Sequence, residues 1–462
     1  MKVLKLTLLT LSVCLTTCAF AQYDDYLLKD YFNPNYQRQM LNFYISGGLN
    51  NGSLKEGVVD DFVYTDRTDF DFNGLLRANY NSVKNTIKTQ NSTYFGLSLG
   101  GNFEKNNSDS ETLNKIGNFG LGLDFRHRGY YYNTRKQFLL VQPIANLGYN
   151  YNNNKYNTNS SDSKSTVNNF QTLFSIGIGV GLGRIEEVGD ARQAIYILQE
   201  LQKQKLLKKE LSAEKINELA QLITTVKNKR QFDSRIKLIE EITTVDSFFV
   251  ANDFIDKDHS TAYFTTLYDN WQYANVSRQS GNRFTVGVTP SGVYNSLHRK
   301  ESYNPHYTIE SDRDTWNLGA DFFVSFESEK PINLKWQQSF FAKYTLGTNR
   351  EIIDDDGQSI HSTTLMASYG LGFYPNSRTE IKGSLSQDID YLFNESGSTW
   401  ATTTALNFQM SYYFSPQLRL SLSYRAGFDY YGAKNKYFDR ILYSKNKYPT
   451  NVLSFGLSYS LF

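Results

Sequence analysis

The stretch "QLRLSLSYRAGFDYY", Gln417 to Tyr431, alternates apolar and polar residues over nearly its whole length. Its even positions are apolar or aromatic, and its odd positions include Arg419, Arg425 and Asp429. Successive side chains of a β-strand point to opposite faces of the sheet, so this stretch predicts a strand with one apolar face and one polar, charged face. The fold class then depends on how much of the chain shares this period.

Fourteen segments of the sequence show the same alternation. They lie near residues 40–49, 69–82, 93–104, 115–127, 137–151, 169–184, 282–296, 315–327, 333–347, 361–374, 380–392, 401–414, 417–430 and 450–462. Short connections include 330–332, 375–377 and 415–417, and long polar ones include 50–68, 152–168 and 431–449. Strands of soluble proteins average about five or six residues, whereas many of these segments reach the roughly 9–11 residues that cross a membrane. The sequence therefore predicts an all-β, antiparallel transmembrane β-barrel with tight turns at one end and longer loops at the other.

The composition agrees with strands that carry aromatic rings in a polar background. The chain has 34 Tyr and 32 Phe, aromatic residues make up 15% of it, and its mean hydropathy is -0.49. Beyond the N-terminal run, no apolar stretch reaches the roughly 18 residues of a membrane-spanning helix. Aromatic residues crowd the ends of the strands, as at Tyr130, Tyr131 and Tyr132, where we expect an interfacial girdle.

Residues 1–21 have the features of a secretory signal peptide. Two lysines precede a short apolar run, and Ala19-Phe20-Ala21 offers a small-x-small cleavage site before Gln22. The alternative is a lipoprotein signal that lipidates Cys14 or Cys18, but neither cysteine follows the small residue that is usual there.

Removal of the signal peptide sets the cysteine count and the charge. Both cysteines lie within it, so the mature chain would contain no disulfide, thiol nucleophile or thiolate metal site. The full chain has 48 Lys+Arg against 46 Asp+Glu, and loss of two lysines leaves 46 of each. A mature chain of zero net charge is not expected to bind nucleic acid, and no motif in it predicts a cofactor.

The end of the chain carries a resemblance to a known class of proteins. Its last residues, "VLSFGLSYSLF", place Leu453 and Phe455 on an apolar face and finish on Phe462, one residue out of phase with that face. In this the chain resembles Gram-negative outer-membrane β-barrel proteins, whose last strand commonly ends in an aromatic residue that the barrel-assembly machinery recognises. The resemblance covers residues 40–184 and 282–462. It implies location in the outer membrane, contact with its lipid, and recognition by that machinery through Phe462.

One block breaks the alternation and divides the barrel. Strands 1–6 occupy residues 40–184, an insertion occupies 185–281, and strands 7–14 occupy 282–462. With the N-terminal segment 22–39 in the periplasm, the sixth strand runs inward. We therefore expect the insertion in the periplasm, where it offers a surface to a periplasmic protein, and the long loops on the outside.

The insertion has helical periodicity from Glu186 to about Val250. Asp190 predicts the N-cap of a helix that starts at Ala191, and Ser212 predicts the N-cap of a second helix. The spacing of Phe232, Ile236, Ile239 and Thr243 suggests a third. The segment that follows returns to the barrel without a clear period.

The stretch "SIGIGVGLGRI", Ser175 to Ile185, has glycine at every second position. A dinucleotide-binding fingerprint needs G-x-G-x-x-G at the start of a helix, and this spacing does not supply it. The pattern instead predicts a strand whose lumen face is bare. Either another segment packs there, such as the N-terminal stretch 22–39, the helical insertion or an inward loop, or glycine eases the coiling of the strand.

The other inward positions carry charges of both signs. The predicted lumen-lining residues are Arg77, Asp124, Arg126, Gly177, Gly179, Gly181, Arg283, Asp321, Lys335, Lys343, Lys382, Asp388, Asp390, Arg419, Arg425 and Asp429. These charges either line a water-filled path or pair across strands and stiffen the barrel. The leading hypothesis is a passive channel for small hydrophilic solutes. The alternative is a non-conducting assembly or scaffold barrel whose insertion binds a periplasmic partner.

Three further motifs have simple explanations. The residues of His259-Ser260 and of His361-Ser362 would face opposite sides of a strand, so neither is a nucleophile–base pair; we expect no enzyme, although a membrane hydrolase is a third hypothesis.

The run Asp354-Asp355-Asp356-Gly357 fits a solvated turn better than a calcium loop, so no metal site is expected. Near the end of the first inserted helix, Lys203, Lys205, Lys208 and Lys209 fit a solvated surface, or contact with lipid phosphates or an acidic partner.

Overall fold

The computed structural model describes residues 27–56, 65–108, 112–133, 136–157, 162–229, 238–256, 260–273, 277–303, 307–353, 356–415, 418–437 and 440–459 of the chain. Several predictions fall outside these residues: the signal peptide 1–21, the terminal Phe462, Asp354 and Asp355 of the acidic run, His259, and Phe232 and Ile236 of the third helix.

The described strands form one antiparallel sheet in which each strand pairs with the next in chain order. The strands are β1 (Tyr36–Glu56), β2 (Thr65–Asn85), β3 (Thr89–Ser108), β4 (Thr112–Tyr132), β5 (Gln137–Asn157), β6 (Asp162–Glu187), β7 (Gln279–Tyr303), β8 (Tyr307–Pro331), β9 (Trp336–Ile353), β10 (Asp356–Phe373), β11 (Thr379–Asn394), β12 (Gly397–Tyr413), β13 (Leu418–Tyr437) and β14 (Arg440–Tyr459). An even number of long, consecutive antiparallel strands is the up-and-down architecture of the outer-membrane β-barrel class. The predicted fold class is confirmed.

The register of the ladders gathers the apolar residues of neighbouring strands on one face. Leu97 of β3 pairs with Leu123 of β4, for example, and Leu406 of β12 keeps 53% of its surface exposed. The opposite face is concave, because Arg283 of β7 reaches Gln90 of β3 across it with a hydrogen bond of 3.1 Å. The apolar face is therefore the outer face, suited to hydrocarbon, and the polar face lines the lumen.

The two ends of the sheet differ. At one end the connections are short, as at 332–335 and 374–378, and the helices lie there too; we call this the helical end. At the opposite end, the hairpin end, the expectation of long loops is wrong. β1 extends to Glu56 and β6 begins at Asp162, so most of the expected loops are paired strand. A ladder of backbone hydrogen bonds does not require an apolar face, so it continues where the alternation has stopped.

Four described helices lie between β6 and β7: α1 (Gly189–Lys203), α2 (Ala213–Asn228), α3 (Leu238–Ala251) and α4 (Thr261–Tyr273). Ser212 caps α2 as predicted, because its hydroxyl accepts a hydrogen bond of 3.4 Å from the backbone N–H of Lys215. The predicted capping role of Asp190 is wrong. Asp190 lies inside the first turn of α1, and its carboxylate binds the side chains of Thr224 and Lys227 of α2, each at 2.7 Å.

The helices share one apolar core with distant parts of the chain. Leu198 of α1 and Leu219 of α2 are completely buried in it. Leu28 and Tyr31, which precede β1, and Leu334, from the turn between β8 and β9, join the same core. We call α1–α4 together with residues 27–35 the helical cap. None of the helices in the described part of the chain is both long and apolar enough to span a membrane.

Candidate functional site: the lumen at the helical end

The ladder register places most of the predicted lumen-lining residues on the inner face. Those that the register places there are Arg77, Asp124, Arg126, Gly177, Gly179, Gly181, Arg283, Asp321, Lys343, Lys382, Asp388, Asp390, Arg419, Arg425 and Asp429. The prediction for Lys335 is wrong. β9 begins only at Trp336, and Lys335 lies exposed in the preceding turn, where Asn333 accepts hydrogen bonds from the backbone of both residues.

Four of the inner-face charges are paired and the others are not. Asp124 binds Arg126 on the same strand, Arg283 binds Glu327 at 3.2 Å, and Lys382 binds Glu380. No ion pair with another described residue is made by Arg77, Asp321, Lys343, Asp388, Asp390, Arg419, Arg425 or Asp429. Unpaired charges on a barrel's inner face require water around them, because a desolvated charge is costly.

The glycine face of β6 is covered by a ring from the neighbouring strand. A Cβ atom at Gly181 would overlap the ring of Phe138 of β5, and one at Gly179 would lie 2.8 Å from the backbone oxygen of Val286 of β7. The covering atoms thus belong to β5 and β7, and the expectation that the N-terminal stretch or the insertion packs on these two glycines is not met.

The ring of Phe138 belongs to an apolar cluster on the inner face of β4, β5 and β8. This aromatic floor consists of Tyr130, Tyr132, Phe138, Leu140 and Phe323, all of them buried. Phe138 lies edge-on to both tyrosines, with ring centroids 5.2 and 5.6 Å apart. The girdle predicted at residues 130–132 is therefore wrong for Tyr130 and Tyr132, and only Tyr131 between them is exposed. The period of two could have revealed this, since alternate residues of a strand face opposite sides.

Two glycines bend the strand ends into the lumen beneath the floor. Gly183 of β6 has φ +98° and Gly281 of β7 has φ +128°, conformations that residues with a Cβ rarely adopt. The bend turns Arg184 and Glu186 toward the turn between β2 and β3, and both side chains are almost fully buried.

Arg184 and Glu186 form a polar bridge from β6 to the start of the barrel. The Arg184 guanidinium donates to the Asn85 side chain at 2.8 Å and to two backbone oxygens of the β2–β3 turn, and it pairs with Glu186. Glu186 also accepts hydrogen bonds from Asn85 and, at 3.0 Å, from Asn33 of the helical cap. The bridge ties opposite sides of the helical end together.

Arginines also fix the helical cap to the barrel turns. Arg278, almost completely buried, donates to the backbone oxygens of Asn333, Leu334 and Trp336 at 2.7–2.9 Å and lies over the ring of Tyr374. Burial, with a smaller effect of nearby Arg192, lowers the pKa of Arg278 to about 10. These contacts hold the residues just before β7 against the β8–β9 turn, whose Leu334 belongs to the core of the cap.

Arg192 and Arg378 make the second attachment, to the turn between β10 and β11. Arg192 of α1 donates to the backbone oxygen of Asn376 at 2.8 Å. The guanidinium of Arg378 stacks 4.0 Å from the ring centroid of Tyr273 of α4. None of these roles has a sequence signal, because each depends on turns far away in the chain.

Two cavities lie on either side of the floor. The mouth cavity, about 340 Å³, lies between the floor and the polar bridge, with Tyr36, Gln90 and Arg283 in its wall. The floor cavity, about 410 Å³, lies toward the hairpin end and is lined by charged, polar and aromatic side chains. Tyr130 and Arg283, whose guanidinium carbon is 3.8 Å from the Tyr130 ring centroid, stand between them.

The described residues bring together no set of three or more acidic, histidine or cysteine side chains able to hold a metal ion. His298 pairs with Asp312 near the hairpin end, and His361 stacks on Phe393 on the outer face. Among the cap lysines, Lys208 binds Asp253 and Asp256, which fits the solvated surface predicted for that cluster.

No family model matches the chain, and a search of curated proteins gave no match either. Solved structures similar to it include a deltaS2 mutant of the TodX monoaromatic hydrocarbon channel, with 8% identity, a TM-score of 0.31, and coverage of 94% of this chain and 92% of that one. The P. putida toluene transporter TodX aligns at 9% identity and a TM-score of 0.28, with coverage of 94% and 92%. The translocator domain of the autotransporter NalP from Neisseria meningitidis aligns at 9% and 0.27, with coverage of 84% and 91%.

Similarities at such TM-scores carry no argument about function. The class of the fold rests on the sheet itself, with its sequential antiparallel strands, apolar outer face and polar inner face. The chain therefore has the up-and-down antiparallel strands of a β-barrel, with a helical cap inserted between its sixth and seventh strands.

Proposed function

We propose that the protein is an outer-membrane channel for small hydrophilic solutes. The observation that carries the proposal is the set of eight inner-face charges that pair with no other described residue, among them Asp388, Asp390 and Arg425. Charges that paired across strands would fill and stiffen the lumen. Unpaired charges keep water beside them, and a continuous water column is what a hydrophilic solute needs.

The proposal includes the orientation of the barrel and its route to the membrane. The helical end faces the periplasm, and the chain is exported with a cleaved signal peptide at 1–21. The barrel-assembly machinery recognises β14 and the aromatic Phe462 that follows it in the sequence. The aromatic floor and the polar bridge obstruct the β1–β8 side of the helical end, so the solute path follows the inner face of β9–β14.

Single-channel recording in a planar bilayer tests the proposal. We expect stepwise ion conductance from the purified barrel. Exchange of Asp388 and Asp390 for lysine should shift its selectivity toward anions, because both carboxylates face the path. Lys203→Glu, on the exposed surface of the cap, is the matched charge-reversal control and should leave selectivity unchanged.

A silent barrel would contradict the proposal. If a periplasmic protein then co-purified with the helical cap, the scaffold hypothesis would replace it. Arg192 and Arg378 support that alternative, because they attach the cap to the turn between β10 and β11.

A further inference from the structure

The floor cavity is lined by charged side chains of both signs. Asp321 of β8 and Lys343 of β9 both line it, and within the described residues neither forms an ion pair. Arg128 of β4 lines the same cavity, is exposed there and has no ion pair with a described residue either. A ligand that carries both an ammonium and a carboxylate would satisfy these groups together.

The separation of the two charges limits the ligand's length. Lys343 is paired in the ladder with Ser325, and Asp321 lies four residues further along the same strand. At about 3.3 Å per residue, their Cα atoms are offset by roughly 13 Å, and the lysine side chain spans part of that offset. An extended peptide of two or three residues, at roughly 3.3–3.6 Å per residue, covers most of that offset.

The remaining lining suits the body of such a ligand. Phe323 and Phe341 present rings to the cavity, and Lys343 lies 5.1 Å from the ring centroid of Phe323. Ser175 and Thr289 add hydroxyl groups that can bind a peptide unit. Gly177 adds no side chain beside Thr289, since a Cβ there would lie 3.5 Å from the Thr289 hydroxyl oxygen. A volume of about 410 Å³ lies within the range of small-molecule sites.

We propose that the floor cavity binds short peptides with free termini, the ammonium end at Asp321 and the carboxylate end at Lys343 and Arg128. The inference rests on the proposed channel function, since it names the class of solute that the lumen selects. The aromatic floor forms the base of the site, so the peptide enters from the hairpin end.

Calorimetric titration of the detergent-solubilised full chain tests this inference without requiring conduction. Alanyl-phenylalanine is the probe. N-acetyl-alanyl-phenylalanine lacks the ammonium, and alanyl-phenylalanine amide lacks the carboxylate. We expect each modified peptide to bind about ten-fold more weakly than the free dipeptide, as the loss of one charged hydrogen bond predicts. Glucose should not bind.

Two variants connect each charge to one end of the peptide. Asp321→Asn should weaken binding of alanyl-phenylalanine about ten-fold and leave binding of the N-acetylated peptide unaffected. Lys343→Gln should also weaken binding of alanyl-phenylalanine about ten-fold but leave binding of the amidated peptide unaffected. Asp269→Asn, on the exposed surface of the helical cap, is the matched control and should change neither. Heat-modifiable mobility in gels verifies that each variant has assembled.

The outcomes separate this inference from the channel function. Equal affinity of the wild-type barrel for free, acetylated and amidated peptides would overturn the peptide site, as would preferential binding of glucose. Conductance with no peptide binding would leave the channel standing without this site. Peptide binding by a barrel that does not conduct would keep the site and remove the channel.

Discussion

At the scale of residues, glycines on the inner face determine where aromatic rings can lie in the lumen. Phe138 and Phe323 occupy the inner face because the facing positions, Gly181 and Gly287, have no Cβ. A Cβ at Gly287 would lie 2.7 Å from the Phe323 ring and 2.5 Å from the backbone oxygen of Ile178. The glycines thus leave room for these rings beside the neighbouring strands, where they narrow the lumen on the side of β4, β5 and β8.

Gly181→Ala should therefore destabilise the barrel. The new methyl group would collide with the Phe138 ring and with the backbone oxygen of Phe284, and overpacking of this kind costs about 1–3 kcal/mol. Urea unfolding in detergent measures the change. Gly383→Ala is the matched control, because nothing lies within 4 Å of a Cβ at that position. Equal stability of the two variants would show that the position of the Phe138 ring does not require a glycine at residue 181.

Neighbouring positions on one strand should differ sharply in their tolerance of charge. Leu97 points to the outer face of β3 and Ser98 to the inner face. Leu97→Arg would place a cation in hydrocarbon at a cost of about 2–4 kcal/mol, whereas Ser98→Arg would place it in water. Refolding into lipid vesicles compares the two. If the two variants lose equal stability, the assignment of Leu97 to the outer face and of Ser98 to the inner face is wrong.

At the scale of elements, the sequence predicts what is local. The period of two around Arg419 and Arg425 defines β13 correctly, and Ser212 marks the start of α2. α4 was not predicted, because Phe264 and Tyr268 remain exposed and obscure its buried stripe. The aromatic floor, the polar bridge and the arginine attachments could not be predicted, since each joins elements that only the sheet's curvature brings together.

The helical cap should lose stability at alkaline pH. Tyr263 of α4 donates a hydrogen bond of 2.9 Å to Asp246 of α3, and burial, followed by the charge of Asp246, raises the pKa of Tyr263 well above its usual 10. The unfolded chain therefore releases this proton first. The stabilisation is complete below about pH 10 and is lost progressively above it.

Tyr263→Phe tests this dependence through the fluorescence of Trp271 on the same helix. The variant should lose about 1 kcal/mol at neutral pH, the value of a typical hydrogen bond, and show a weaker fall in stability above pH 10. Tyr268→Phe, at an exposed tyrosine, should keep the wild-type profile. If the alkaline slope of Tyr263→Phe equals that of the wild type, another group controls the transition.

At the scale of the whole molecule, the sheet has two ends and two edges. Within the described residues β1 pairs only with β2, and β14 only with β13. Ile45 of β1 is 83% exposed and Phe455 of β14 is 72% exposed. An unpaired strand edge in hydrocarbon leaves backbone N–H and C=O groups without partners, at several kcal/mol each. We therefore expect these two edges to pair with each other in the bilayer.

The orientation of the molecule can be measured on intact cells. An epitope tag in the connection between β5 and β6, at residues 158–161, should be labelled from outside. A tag beside Lys209 in the helical cap should be labelled only after the outer membrane is permeabilised. The opposite labelling pattern would place the helical end at the cell surface.

The composition of the cap's core also determines the order in which the molecule forms. Each barrel ladder except the one between β6 and β7 joins strands that are close in sequence, so those hairpins assemble from local contacts. The cap core instead unites Leu28 with Leu334, across most of the chain. Contacts between residues so distant in sequence form slowly, because the entropy of closing the loop is lost before they contribute. The cap should therefore dock in a late kinetic phase, after the turn between β8 and β9 has formed. A chain that ended before that turn would have four helices around a core that lacks Leu334.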